Sequence, residues 1–140
     1  MNWCSGFGAR TQPSSVATGP IRDYRDIVAW QRAIDLALLV DTICDRLPRS
    51  AWKLAAQMRD SANSVHRNIA EGNGRFSTAD YLRHLSISNG SLNELESDLH
   101  FVTRKYPRID DAERALTDAT SVRRPLWGLI KALRRKLKGE

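Results

Sequence analysis

The sequence predicts an all-α protein: an antiparallel up-down four-helix bundle over residues 21–140, preceded by a disordered N-terminal tail over residues 1–20. Three observations carry that expectation. Apolar residues recur at helical 3,4 spacing along most of the chain. No alternating β-branched run appears, nor a hairpin turn between two such runs. Pro and Gly then divide the periodic stretch into four pieces.

The first helix is expected from Tyr24 to Leu47, with Asp23 or Asp26 near its N-cap and Pro48 ending it. Ala29, Ala33, Leu36, Val40, Ile43 and Leu47 form one stripe, and Ile27, Trp30, Ile34 and Leu38 form a second beside it. An apolar arc that wide is buried on more than one side, so one side can face the bundle and the other a second subunit.

The second helix is expected from Ser50, a plausible N-cap, to Glu71, with Ala55, Met58, Ala62, Val65 and Ile69 at 3,4 spacing. Gly72 stands where a left-handed C-terminal residue is favoured. The link 72–77 is a turn by composition.

The third helix, capped by Ser77 or Thr78 and ending before Pro107, has the clearest pattern. Tyr81, Leu85, Ser88, Leu92, Leu95, Leu99 and Val102 follow a heptad seam. Gly90 costs roughly 1 kcal/mol against Ala inside a helix. Close approach of a neighbouring backbone is the simplest compensation.

The fourth helix is expected to start near Asp110, with Asp111 and Glu113 favouring its N-terminal dipole. Ala112, Leu116, Ala119, Leu126, Ile130, Leu133 and Leu137 carry its stripe. Pro125 predicts a kink, or a restart capped by Ser121.

Charge is distributed unevenly. Residues 1–103 carry 11 basic and 11 acidic side chains, whereas residues 104–140 carry 11 basic and 5 acidic, which accounts for the whole net charge of +6. The stretch 122–138 reads as a basic amphipathic helix with Arg123, Arg124, Lys131, Arg134, Arg135, Lys136 and Lys138 outside its apolar stripe. A solvated face, a nucleic-acid-binding face and a membrane-surface helix all fit this composition. No apolar run reaches the roughly 18 residues that a spanning helix needs.

Enzyme chemistry has little to stand on. Among the 3 histidines, His84 and His100 point nearly opposite ways on one helix, and no Glu-x-x-His motif occurs. There is neither a phosphate-cradling glycine loop nor a nucleophile elbow. Cys44 lies on an apolar stripe and reads as core. No catalytic residue, metal or cofactor is expected. Two cysteines 40 residues apart form no framework, so a reducing cytoplasm is the expected compartment. Residues 1–20 lack the apolar core of a signal peptide. Asn68, Glu71, Arg75, Glu94 and Glu96 lie on or near apolar seams. The main expectation for them is a buried polar network, with Arg75 spanning from Glu71 to the Glu94/Glu96 region.

Three segments carry a family resemblance. Tyr24-Arg25-Asp26-Ile27 with Val28-Ala29-Trp30-Gln31-Arg32-Ala33, then Asn68-Ile69-Ala70-Glu71-Gly72 with Gly74-Arg75, then Gly90-Ser91-Leu92-Asn93-Glu94-Leu95-Glu96 stand in order over about residues 22–105. Together they resemble the four-helix-bundle proteins encoded in bacterial 23S rRNA intervening sequences. The resemblance implies a ring-like homopentamer and distant kinship with nucleic-acid-binding accessory proteins of diversity-generating retroelements. It carries over no catalytic residues. Two positions depart from the family pattern: His66-Arg67 stand where a proline is usual, and Asp60 follows Arg59 where a second basic residue is usual.

The resulting expectation is a non-enzymatic, oligomeric bundle that binds RNA or DNA electrostatically. Arg123, Arg124, Lys131, Arg134 and Arg135 are the first-choice phosphate contacts, and Arg59, Arg67 and Arg83 the second. A protein-interaction scaffold, using the broad apolar arc of the first helix, is the alternative.

Overall fold

The computed structural model describes residues 20–139. Four α-helices make up nearly all of them: α1 (Val28–Arg46), α2 (Trp52–Asn73), α3 (Thr78–Lys105) and α4 (Asp111–Leu137). Each helix packs on its neighbours in the cyclic order α1, α2, α3, α4, and the backbones of diagonal pairs stay apart across the shared core. Paired residues run in opposite directions across every seam, as Cys44–Ala55, Ser64–Ser91, Arg123–Glu96 and Arg46–Asp111 show. The predicted up-down bundle is therefore the fold, and among the described residues there is no strand. The expected disordered tail lies outside the described residues except for Pro20.

The seam predictions hold closely where the heptad is regular. Ala29, Ala33, Leu36, Val40 and Ile43 are buried, as are Ala55, Met58, Ala62, Val65 and Ile69. So are Leu85, Ser88, Leu92, Leu95, Leu99 and Val102. On α4 the seam is carried by Ala112, Ala115, Ala119, Val122, Leu126 and Ile130; Leu116 is only half-buried and Leu137 is exposed.

Five expectations need correction. The first helix does not run unbroken from Tyr24. Asp23 caps a separate 3-10 turn, Tyr24–Asp26, through a capping box, and Ile27 is extended before α1 begins. Asp26 turns back in that box to accept from the Arg22 and Asp23 backbone N–H groups, so it closes the turn and does not cap α1. The second helix likewise starts at Trp52, after a 3-10 turn, Arg49–Ala51, that includes Ser50.

Gly72 is not left-handed; it lies inside α2 and is buried. A Cβ there would sit 2.8 Å from Tyr81 Cδ2 and 2.9 Å from the His84 Cβ, so glycine is required by the approach of α3. The close approach expected at Gly90 is absent: nothing lies within 4 Å of a Cβ built there. Helical geometry turns Gly90 away from the Ser88/Leu92 seam and into solvent.

Finally, α4 runs unbroken through Pro125, so the helix does not restart at Ser121. Proline cannot donate to the carbonyl four residues back, that of Ser121. Arg32 on α1 supplies the donor instead, its Nη1 reaching the Ser121 carbonyl at 3.0 Å.

Candidate nucleic-acid interface

The outer surface of α4 follows from its period. At 100° per residue, Arg124, Lys131, Arg135 and Lys138 fall on the side opposite Val122, Leu126 and Ile130. All four are exposed. Among the described residues, no carboxylate lies within 4.0 Å of their cationic groups. From Arg124 to Lys138 the row extends about 21 Å at 1.5 Å per residue. Arg134, also exposed, lies to one side with its guanidinium 5.8 Å from the Trp127 ring centroid.

The other candidate cations divide by what they already hold. Arg123 is only 25% exposed, and it donates to Glu96 Oε1 at 2.7 Å and to Asn89 Oδ1 at 3.1 Å. It ties α4 to α3 and is not an open phosphate contact. Arg59 is likewise engaged, donating to Asp41 at 2.7 Å and Asp45 at 2.8 Å across the α1–α2 seam. The hydrogen bond to Asp41 raises the Arg59 pKa above its usual value. Arg83 is exposed on α3 and only loosely paired, 4.0 Å from Asp80. Arg67 is exposed on α2, diagonally across the bundle from α4.

The opposite electrical pole lies between α1 and the first half of α4. An open cleft of about 770 Å³ there is lined by Asp35, Asp41, Asp111 and Asp118, with Arg32 and Arg114 interspersed. Burial, followed by repulsion from Asp35, holds the Asp118 carboxyl above the usual range despite the opposing pull of Arg114. Thus α4 is acid-lined near its start and basic toward its end. On the neighbouring face of α1, Leu38 is 65% exposed beside the half-buried Ile34. The second stripe on that helix is therefore graded: Ile27 is buried, Trp30 and Ile34 half-buried, and Leu38 open.

The expected polar network exists with a different centre. Arg75 donates through Nη2 to Glu71 at 2.6 Å and through Nε to His84 Nε2 at 3.2 Å. With Nε2 accepting, the His84 proton belongs on Nδ1, which lies 3.1 Å from Asn68 Oδ1. Asn68 Nδ2 then donates to the Ser64 carbonyl at 2.9 Å, and Ser64 meets Ser91 at 2.7 Å. The chain of contacts joins α2 to α3 beside Gly72. It does not include Glu94, which is exposed, or Glu96, which α3 turns toward Arg123 on α4. Nor is Arg75 buried, at 43% exposure. Histidine spacing speaks to metal ligation and does not by itself mark His84 as the hub. Its place three residues after Tyr81 and four before Ser88, flanking the seam, was the available signal.

Cys44 fits its core assignment. It is buried, its thiol approaches the Ala55 carbonyl at 3.5 Å, and burial pushes its pKa up to about 11. Among the described residues, no group of three or more His, Cys, Asp or Glu side chains is placed to hold a metal ion. No helix among them is long and apolar enough to cross a membrane.

No curated protein matches the chain. The family model of the 23S rRNA-intervening sequence protein matches residues 25–128, which span every helical seam and the Asn68–Gly72 segment but end before Lys131, Arg135 and Lys138. With that match over most of its length and the four-helix architecture in place, the chain belongs to the 23S rRNA-intervening sequence protein family.

Proposed function

We propose that this protein is a non-enzymatic, homo-oligomeric bundle that binds RNA or DNA through the basic second half of α4. The row Arg124, Lys131, Arg135 and Lys138, exposed and without carboxylate partners among the described residues, is the observation that carries the reading. Cations already paired to carboxylates have little left to offer a phosphate. Unpaired ones can displace the counterions condensed on a polynucleotide, and the entropy of their release drives binding. Such contacts fix position on the backbone and read little sequence. The family resemblance adds a ring of five copies, and the sparse, unpatterned cysteines favour a reducing cytoplasm. Repeating α4 around an axis would turn modest single-site affinity into avidity.

Fluorescence anisotropy with labelled single-stranded RNA and duplex DNA across a salt series tests this. Four phosphate contacts per chain predict a log-log salt slope of about −3 to −4 per copy engaged. The double variant Lys131→Gln/Arg135→Gln removes two exposed charges and should reduce that slope by about 2 units per copy. Absence of binding even at low salt, with the protein folded, refutes the reading. The row would then be a solvated face, and the exposed Leu38 surface would favour a protein-interaction scaffold.

A further inference from the structure

Beside the basic row, α3 and α4 leave a cleft of about 90 Å³ lined by Leu82, Ser86, Asn89, Trp127, Ile130 and Arg134. It is much smaller than the roughly 300–1,000 Å³ of a cofactor or drug-sized site, so it suits the edge of one planar group. Trp127 forms an aromatic wall and is half-buried, so part of the indole faces the opening. Its helical neighbours are cationic on both sides: Arg124 three residues before, Lys131 four after and Arg134 seven after. No carboxylate lines the cleft. The α3 side contributes polar groups instead. Asn89 spends its Oδ1 on Arg123, leaving its amide N–H groups free to donate, and the exposed Ser86 hydroxyl can donate or accept.

We infer that this cleft receives an unpaired nucleobase, stacked against Trp127, while Arg124, Lys131 and Arg134 hold the flanking phosphates of a single strand. The inference rests on the nucleic-acid reading above and narrows its ligand to single-stranded nucleic acid. An aromatic face among cations is how sequence-tolerant single-strand binders hold bases, because every base has a π-face to stack. Arg134 is suited to a second role there. Its guanidinium already lies over the indole, and the same planar group can stack on the exposed face of a base or bind its phosphate. A duplex buries its base faces in its own stack and can use only the cations.

The test compares four labelled ligands of equal length on the wild-type protein: single-stranded RNA, single-stranded DNA, duplex RNA and a single strand with abasic sites at alternate positions. Intact single strands should bind at least about five-fold more tightly than the abasic strand, the lower bound for one base stacked on an aromatic side chain. The RNA and DNA arms show whether the ribose contributes. Trp127→Leu should reduce single-strand affinity to the abasic level, leave duplex affinity and salt slope unchanged, and be restored in large part by Trp127→Phe. Equal binding of intact and abasic strands by the wild-type protein overturns the base site. That comparison requires no substitution and so does not depend on any variant folding. A folded Trp127→Leu variant with wild-type single-strand affinity overturns it equally. Binding to no polynucleotide at any salt would overturn the underlying reading as well, so the two failures are distinguishable.

Discussion

Proline in the middle of α4 makes a sharp energetic prediction. Pro125 is flanked by helix on both sides, where proline usually costs about 3 kcal/mol relative to alanine. Part of that cost is the unserved Ser121 carbonyl, and Arg32 serves it from α1 at 3.0 Å. A hydrogen bond from a charged donor contributes about 1.5–3 kcal/mol, and partial burial at the α1–α4 seam argues for the lower end. Arg32→Ala should therefore cost about 1–2 kcal/mol in the wild-type background, because the carbonyl loses the one cross-helix donor it has among the described residues. Pro125→Ala restores an N–H four residues after Ser121. It should stabilise by about 1–2 kcal/mol, less than the full helix penalty, because Arg32 already offsets part of it and proline restricts the unfolded chain. In that background Arg32→Ala should cost less than about 0.5 kcal/mol. The coupling is then about 1 kcal/mol, worth about 4 °C in melting temperature for a chain of this length. Urea unfolding of the four proteins, followed by circular dichroism at one fixed protein concentration, measures the cycle. Equal costs for Arg32→Ala in both backgrounds, within about 0.3 kcal/mol, would refute the account of Arg32 as the substitute donor.

Four further predictions concern packing, the polar network and the α1 surface. Gly72→Ala should destabilise by about 1 kcal/mol or more, since its Cβ would collide with the backbone-anchored His84 Cβ at 2.9 Å, whereas Gly90→Ala, with no atom within 4 Å, should stabilise by up to about 1 kcal/mol. Chemical denaturation reads both, and the same sign for the pair would count against the packing argument. Arg75→Ala should lower stability by about 1–2 kcal/mol, mostly because His84 Nε2 loses its donor, the exposed Glu71 pair adding little; an unchanged melting temperature would remove Arg75 from any structural role. Cys44, with its pKa raised by burial, should resist alkylation at pH 8 until the protein is unfolded, as site-resolved mass spectrometry would reveal. Because the folded pKa exceeds the unfolded one, its contribution to stability is complete below about 9 and is lost as pH rises toward about 11, a decline that Cys44→Val should flatten. Last, Leu38→Asp should leave the monomer fold intact, because Leu38 is already 65% exposed, yet reduce the mass of the proposed oligomer in light scattering; unaltered mass would place the subunit contact elsewhere.

What local sequence determined here was periodicity and its interruptions. The 3,4 spacing of Leu85, Ser88, Leu92, Leu95, Leu99 and Val102 specifies a helix and its buried face, because side chains three and four apart share one side. Pro48, the 72–77 link and Pro107 mark three of the boundaries to within a residue or two. The excess of cations after residue 103 was also legible, since charge is additive along a chain.

Contacts between helices were not legible, because no single-helix period says which side chain of a neighbour stands opposite. Gly72 reads as a helix terminus and Gly90 as a point of close approach, yet it is Gly72 that α3 touches and Gly90 that faces water. Arg123 and Arg124 are adjacent, but the 100° between them sends one to Glu96 and leaves the other in solvent. Arg75 has Glu71 within one helical turn and finds His84 only through the α2–α3 turn, while Glu96 is taken by α4. Arg32 and Ser121 are 89 residues apart, and only the antiparallel return of α4 against α1 turns the carbonyl that Pro125 leaves free into a tertiary contact.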